Sequence, residues 1–158
     1  MQTKAKSQTK GKIKKLVFSK KEMFLFSQKI LSVLISKKNR AGASVLALYG
    51  DLGSGKTAFC QGLAKGLKIK GSVNSPTFVI YKKYSIPNNQ IFSHFYHFDC
   101  YRLKNSQDAK GLGLAEIFKD PQNVVALEWP ENIKDLLPKN AKTIKFRFID
   151  KSTREITY

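Results

Sequence analysis

The stretch that most constrains this chain is YGDLGSGKTAF, Tyr49 to Phe59, which follows the short apolar run Val45–Tyr49. Its spacing is Gly50-x-x-x-x-Gly55-Lys56-Thr57, the pattern of a phosphate-binding loop. Such a loop has to leave a buried strand, wrap its backbone N–H groups around an anion and open a helix whose N-terminus adds more donors. Both flanks comply. SVLALYG has the length and composition of a buried strand, and KTAFCQGLAKGLKI reads as a helix, although Gly62 and Gly66 weaken the pattern. Gly50, Gly53 and Gly55 permit positive φ and close approach of the backbone. In this chemistry Asp51, Leu52, Gly53, Ser54, Gly55, Lys56, Thr57 and Ala58 form the cradle. Lys56 neutralises the β- and γ-phosphates and Thr57 holds Mg²⁺ through its hydroxyl. A Gly-rich turn without a ligand is the competing reading, and the flanking strand and helix argue against it.

A phosphate loop needs a metal partner and a group that manages the attacking water. Asp99, in HFYHFDCYRL, and Glu128, closing NVVALE before Trp129-Pro130, sit in or at the ends of apolar strands. Ligands gather at the carboxyl ends of such strands, so both acids are candidates for holding Mg²⁺ or orienting water. Taken singly, each could equally be an ordinary strand-end acid paired with a lysine. In NSPTF (Asn74–Phe78), Pro76 stiffens a cluster of hydroxyls, and Thr77 could reach Mg²⁺ or the γ-phosphate as switch loops do. A strand-leading turn is the plainer alternative there. His94 and His97 alternate with aromatics and are read as sharing a strand face with Asp99. His97 is either packed in the strand or hydrogen-bonded near the site. Arg102 reads as a charge partner in the site, an interface anchor or part of a structural ion pair.

The rest of the chain has the rhythm of an α/β domain. KIKKLVFS is a strand. Ser19 caps a helix over 20–37, with Glu22 at capping-box spacing and Met23, Phe26, Ile30, Val33 and Leu34 on its apolar face. FVIYKKYS and IFSHFYHFDCYRL are strands either side of the turn PNNQ, LAEIF is a short helix, and TIKFRFID and REITY form a closing strand pair. The expected architecture is a three-layer fold with a mixed, mainly parallel central sheet.

Charge divides the chain. The net charge is +18, from 29 basic and 11 acidic residues, and residues 1–21 hold eight lysines and no acid. A basic disordered tail over 1–15 and a folded domain over 16–158 are expected. The tail is either a solvated extension or a dock for nucleic acid through phosphate neutralisation. No apolar run has the length of a membrane span, and the basic N-terminus lacks the apolar core of a secretory signal. Cys60 and Cys100 read as free thiols, which suits a cytoplasmic protein.

Taken in order, LYGDLGSGKTAFCQGLAKGL, VNSPTFVIYKKY, HFDCYRL, LGLAEIF and VVALEWPENI resemble the TsaE (YjeE) family of bacterial P-loop ATPases, over about residues 16 to 156. The resemblance implies a P-loop NTPase fold and a protein that binds ATP·Mg²⁺ and hydrolyses it slowly. It implies work beside TsaB- and TsaD-type subunits, which transfer a threonylcarbamoyl group to an adenosine of tRNA. Contact with the tRNA is expected to be indirect or through the basic tail, which lies outside the resemblance. Carried over by position, Gly53–Thr57 bind the phosphates and Thr57 ligates Mg²⁺. Asp99 and Glu128 become the essential acids beside Lys56, with Glu128 either a Mg²⁺ ligand or the water activator. Thr77 belongs to the switch-like loop. Trp129 faces a partner or the nucleotide, unless it only packs at the strand end.

Two other functions share the loop. A small-molecule kinase would need an arginine-bearing lid, and segment 104–113 has no arginine. A nucleotide-dependent assembly factor without productive hydrolysis has the same requirements as an ATPase and is separated from it only by turnover. The Asn-Lys-x-Asp base-reading motif of GTPases is absent from the chain.

Overall fold

A computed structural model describes residues 12–37 and 40–158. The expected basic tail therefore lies, up to residue 11, outside the described residues. The first strand, β1 (Lys14–Val17), begins within the boundary drawn at residue 15. Then follow α1 (Lys20–Ser36), β2 (Ser44–Tyr49), α2 (Lys56–Gly66), β3 (Tyr81–Ser85), β4 (His94–Asp99), α3 (Leu114–Lys119), β5 (Asn123–Glu128), β6 (Lys142–Phe148) and β7 (Arg154–Thr157). Short 3₁₀ turns at Ser106–Ala109 and Pro130–Leu136 were not anticipated from the pattern.

The strands form one seven-stranded sheet in the order β1-β7-β6-β2-β5-β4-β3. Its centre, β6-β2-β5-β4, is parallel. The flanking pairs β1-β7, β7-β6 and β4-β3 are antiparallel. Parallel strands have to be buried on both faces, and β2 and β5 comply with near-continuous apolar sequences. On one face α1 and α2 cover Leu46, Leu48, Phe95, Val124, Ala126, Ile144 and Phe146. On the other, Val45, Tyr96, Phe98, Val125 and Leu127 pack with Leu114, Ile117 and Ile133 from the short helical segments. The expected three layers are present.

Helix α1 begins as anticipated: Ser19 Oγ accepts from the Glu22 amide at 3.1 Å, and Glu22 Oε2 accepts from the Phe18 amide at 3.1 Å. Its buried face comprises Met23, Phe26, Ser27, Ile30, Leu31 and Leu34, whereas Val33 is exposed. Two strands are shorter than expected. FVIYKKYS becomes strand only at Tyr81, because the Val79 amide donates to Pro76 and bends 76–80 into a turn with Ile80 at φ 66°. IFSHFYHFDCYRL is strand only from His94 to Asp99, where β4 lies between β3 and β5.

The glycines that weaken the α2 pattern have a packing reason. A Cβ on Gly62 would fall on Ser27 Oγ and lie 3.1 Å from Phe24 Cα, and one on Gly66 would sit 2.9 Å from Leu31. The two helices therefore cross at a contact that only glycine permits. Gly62→Ala improves helix propensity by about 1 kcal/mol, but overpacking of this kind costs about 1–3 kcal/mol. Because Ser27 Cβ and Phe24 Cα, at 3.0 and 3.1 Å, leave the new methyl little room beyond the Ser27 hydroxyl, the variant should be the less stable protein in urea unfolding. A midpoint equal to or above the parent's would mean the helices separate freely.

Candidate functional site

Strand period and register assemble the site. Side chains alternate across a sheet, so Glu128 continues the face of Val124 and Ala126, and His97 and Asp99 continue the face of Phe95. That is the face covered by α1 and α2. The parallel register pairs Asp99 with Glu128 and Glu128 with Leu48, the penultimate residue of β2. Both carboxylates therefore emerge at the carboxyl end of the sheet, where the loop after β2 turns into α2. His94 differs in parity from His97. It belongs to the opposite face, beside Tyr96 at 6.3 Å, so the expectation that it shares a face with Asp99 is corrected.

The loop has the conformation its glycines suggested. Gly50, Gly53 and Gly55 adopt φ of 145°, 76° and 105°. Gly55 is the N-cap of α2 and no side chain caps its first turn, which leaves the helix-end donors facing the loop. Lys56 is 4% exposed and its Nζ donates to the carbonyls of Gly50 and Asp51, the latter at 3.0 Å. It lies 4.1 Å from the centre of the Trp129 ring. Burial pulls the Lys56 ammonium below the usual lysine range, and Glu128, Glu131, Asp99 and Asp51 oppose that pull. Asp51 is exposed and contributes its carbonyl to the loop.

Glu128, 3% exposed, is held by two donors. Thr57 Oγ1 lies 3.0 and 3.2 Å from its two carboxylate oxygens, and His97 Nε2 lies 2.7 Å from Oε1. Asp99, 4% exposed, accepts from Ser75 Oγ at 2.7 Å and Thr77 Oγ1 at 2.6 Å through Oδ2, and from the Tyr101 amide at 3.0 Å through Oδ1. The hydroxyl cluster of NSPTF is thus tied directly to Asp99. The two acids have different tasks here: Glu128 faces the helix start and Asp99 anchors the loop.

These groups line a cleft of about 540 Å³, walled by Leu52–Ala58, Ser75, Thr77, Asp99, Tyr101, Glu128, Trp129 and Arg154. The residues present fit a phosphate and a divalent cation. Ser54 Oγ is buried inside the loop with no hydrogen-bond partner among the described residues, a polar atom that a bound phosphate would satisfy. The all-oxygen set from Thr57, Glu128 and Asp99 suits a hard cation such as Mg²⁺. Trp129 both lines the cleft and packs against the lower core, with φ 57° in the left-handed region ahead of Pro130.

Sequence reasoning missed Ser75, Tyr101 and Arg154. Ser75 was within reach, since it stands two residues from Thr77 and alternation puts both on one side. Arg154 had no local signal. It comes from β7, donates from Nε to the Gly53 carbonyl at 3.0 Å and from Nη1 to the carbonyls of Asp150 and Thr153, and lies over Phe148 at 4.5 Å. An arginine therefore stands at the rim of the cleft, with its Nε and Nη1 donors taken up by backbone carbonyls. Arg102 lies over Phe78 at 4.7 Å.

Known proteins resemble this chain over most of its length. The family model described as "Threonylcarbamoyl adenosine biosynthesis protein TsaE" matches residues 18–156. The chain is 42% identical over 114 residues to the tRNA threonylcarbamoyladenosine biosynthesis protein TsaE of Bacillus subtilis, covering 72% of this chain and 68% of the relative. It is 30% identical over 128 residues to its namesake from Haemophilus influenzae, covering 81% and 77%. The crystal structure of Bacillus subtilis YdiB superposes with a TM-score of 0.72 at 32% identity, over 96% of this chain and 86% of that one.

The anchoring of 74–80 by Asp99 is directly testable without ligand. Hydrogen bonds to a charged group contribute about 1.5–3 kcal/mol each. Ser75→Ala combined with Thr77→Ala should therefore speed amide exchange at Val79 and Tyr81 by about tenfold or more, with β5 amides unchanged. Unaltered exchange in 74–80 would show that Asp99 does not hold the loop.

Proposed function

Because the chain belongs to the TsaE family of threonylcarbamoyl adenosine biosynthesis proteins, we propose that it binds ATP with Mg²⁺ and hydrolyses it as an accessory subunit for threonylcarbamoylation of adenosine in tRNA. The observation that carries this reading is the bond between Thr57, at the first turn of α2, and the buried carboxylate of Glu128. A hydroxyl and a carboxylate so joined at the mouth of a phosphate loop form the metal-facing half of a nucleoside triphosphatase site.

Each residue then has a task. The amides of the loop and of the α2 start receive the β- and γ-phosphate oxygens. Lys56, aligned by the Gly50 and Asp51 carbonyls and by the face of Trp129, adds the positive charge beside them. Ser54 Oγ supplies a further polar contact from inside the loop. Mg²⁺, when bound, would neutralise phosphate charge from the side of Thr57 and Glu128. Asp99, with Ser75 and Thr77, puts a hydroxyl-bearing loop at the site's edge, where Thr77 can trade its bond to Asp99 for one to the γ-phosphate or the metal. Leu52, 89% exposed, and Ala58 border the cleft.

The reading includes slow hydrolysis by the chain alone. Arg154, the guanidinium lining the cleft, is engaged by three backbone carbonyls. Among the described residues no other arginine lines that cleft, so additional transition-state charge has to come from elsewhere. Subunits of TsaB and TsaD type are the proposed source of stimulation, and the proposed setting is the cytoplasm. Among the described residues no helix is long and apolar enough to cross a membrane.

Phosphate release measured with and without those subunits tests the proposal: turnover should be low alone and rise on their addition. Equal rates in both, or efficient transfer of the phosphoryl group to a metabolite, would overturn it. Glu128→Gln should keep nucleotide binding within a few-fold while turnover falls about 100-fold or more. Lys56→Ala should weaken ATP binding by about 10- to 100-fold, the loss of charge-assisted bonds to phosphate. Tight binding by the Lys56 variant would refute the phosphate loop itself.

A further inference from the structure

His97 is unused by the chemistry just described, yet it is wholly buried and touches its central acid. From β4 it reaches across to β5, and its Nε2 lies 2.7 Å from Glu128 Oε1. The ring's other nitrogen, Nδ1, is buried with no hydrogen-bond partner among the described residues. A proton on Nε2 satisfies both facts, since Nε2–H is then donated to the carboxylate and only a bare lone pair goes unpaired at Nδ1. The Cys60 thiol is close by: Cys60, His97 and Glu128 each offer one atom within 4.8 Å of the others. Burial, with Glu128 and Asp99 adding to it, pushes that thiol well up, so it brings no charge to the carboxylate at neutral pH.

We propose that His97 is the positioning residue of the cation site: it pins Glu128 through Nε2–H so that the carboxylate stays on Thr57 and faces the cation that accompanies the nucleotide. Three features support this. The glutamate side chain has rotatable bonds whose freedom has to be given up for the carboxylate to keep one orientation. The three side chains stand on three rigid elements, α2, β4 and β5, so the hydrogen bonds set orientation and not merely proximity. The bonds also divide the carboxylate. Oε1 takes the shorter bond, from His97, which leaves Oε2 and its weaker 3.2 Å contact with Thr57 as the oxygen free to turn toward the cleft. Partners of this kind behind a ligand typically change metal affinity or activity by about 10- to 100-fold when removed.

This inference rests on the reading of the cleft as a Mg²⁺–nucleotide site, and its test is separate from hydrolysis. Binding of a non-hydrolysable ATP analogue is measured calorimetrically in chelator and across a Mg²⁺ titration. His97→Leu removes the donor at similar volume. His97→Gln keeps an amide donor at the depth of Nε2. If the leucine variant does not fold, His97→Asn replaces it, because its amide stops short of Glu128. The donor-less variant should bind the analogue in chelator within about threefold of the parent but need about 10- to 100-fold more Mg²⁺ for the tightening the parent shows. The glutamine variant should restore most of that dependence, and turnover should follow the same order. An unchanged Mg²⁺ dependence in the donor-less variant would overturn the proposal. So would a loss that glutamine fails to rescue, which would make His97 a packing residue. A parent that responds to Mg²⁺ and releases no phosphate would sink only the ATPase reading.

Discussion

The carboxylate of Glu128 sits in a place that water barely reaches, and the structure around it is arranged to make that tolerable. An ionised acid without partners costs several kcal/mol to bury. Here Thr57 and His97 donate to it from either side, and the buried ammonium of Lys56 adds favourable charge. Those three partners come from the start of α2 and from β4. Keeping them together requires β2, β5 and β4 to run parallel and in register, with α2 laid across them at a fixed height. The close crossing of α1 and α2 at Gly62 holds that height.

The rim of the cleft is tied down by contacts between segments distant in the chain. Arg154, on β7, grips the carbonyl of Gly53, so the closing hairpin braces the phosphate loop. Trp129 adopts a left-handed backbone that costs a non-glycine residue about 1–3 kcal/mol, and its ring is thereby set between Lys56 and Tyr101. On the opposite side, Asp99 binds Ser75 and Thr77, and beyond that latch the chain turns outward and leaves Phe78 84% exposed beside Arg102. The rigid loop and the latched loop thus face one another across the same acids.

Much of this was legible in the sequence for identifiable reasons. The phosphate loop is local, since its glycines, lysine and threonine act within a single turn of chain. The start of α1 was readable from Ser19 and Glu22, because capping is also local. Asp99 and Glu128 stood out as charges among apolar strand residues. Errors arose where a long-range contact overrode a local pattern. FVIYKKYS has strand composition throughout, but Pro76 and the hold of Asp99 on Ser75 and Thr77 turn its first residues aside. His94 was grouped with His97 although a separation of three reverses the face. Val33 fits the helical period yet is left 41% exposed.

The sequence by itself determined the residue types on offer: a glycine-rich loop of phosphate-loop pattern with a lysine and a threonine, two acids at strand ends, and a hydroxyl-rich loop ahead of a strand. These are properties of residue type and short-range spacing. Tertiary structure decided which partners each acid has. Only strand register puts Glu128 on Thr57 and His97, and only the path of residues 74–80 puts Ser75 and Thr77 on Asp99. It also decided that Arg154 reaches the loop from 101 residues away. Hydrogen-bond partners so far apart in the chain are chosen by the packing of the sheet and its helices, and no local pattern of residues records that choice.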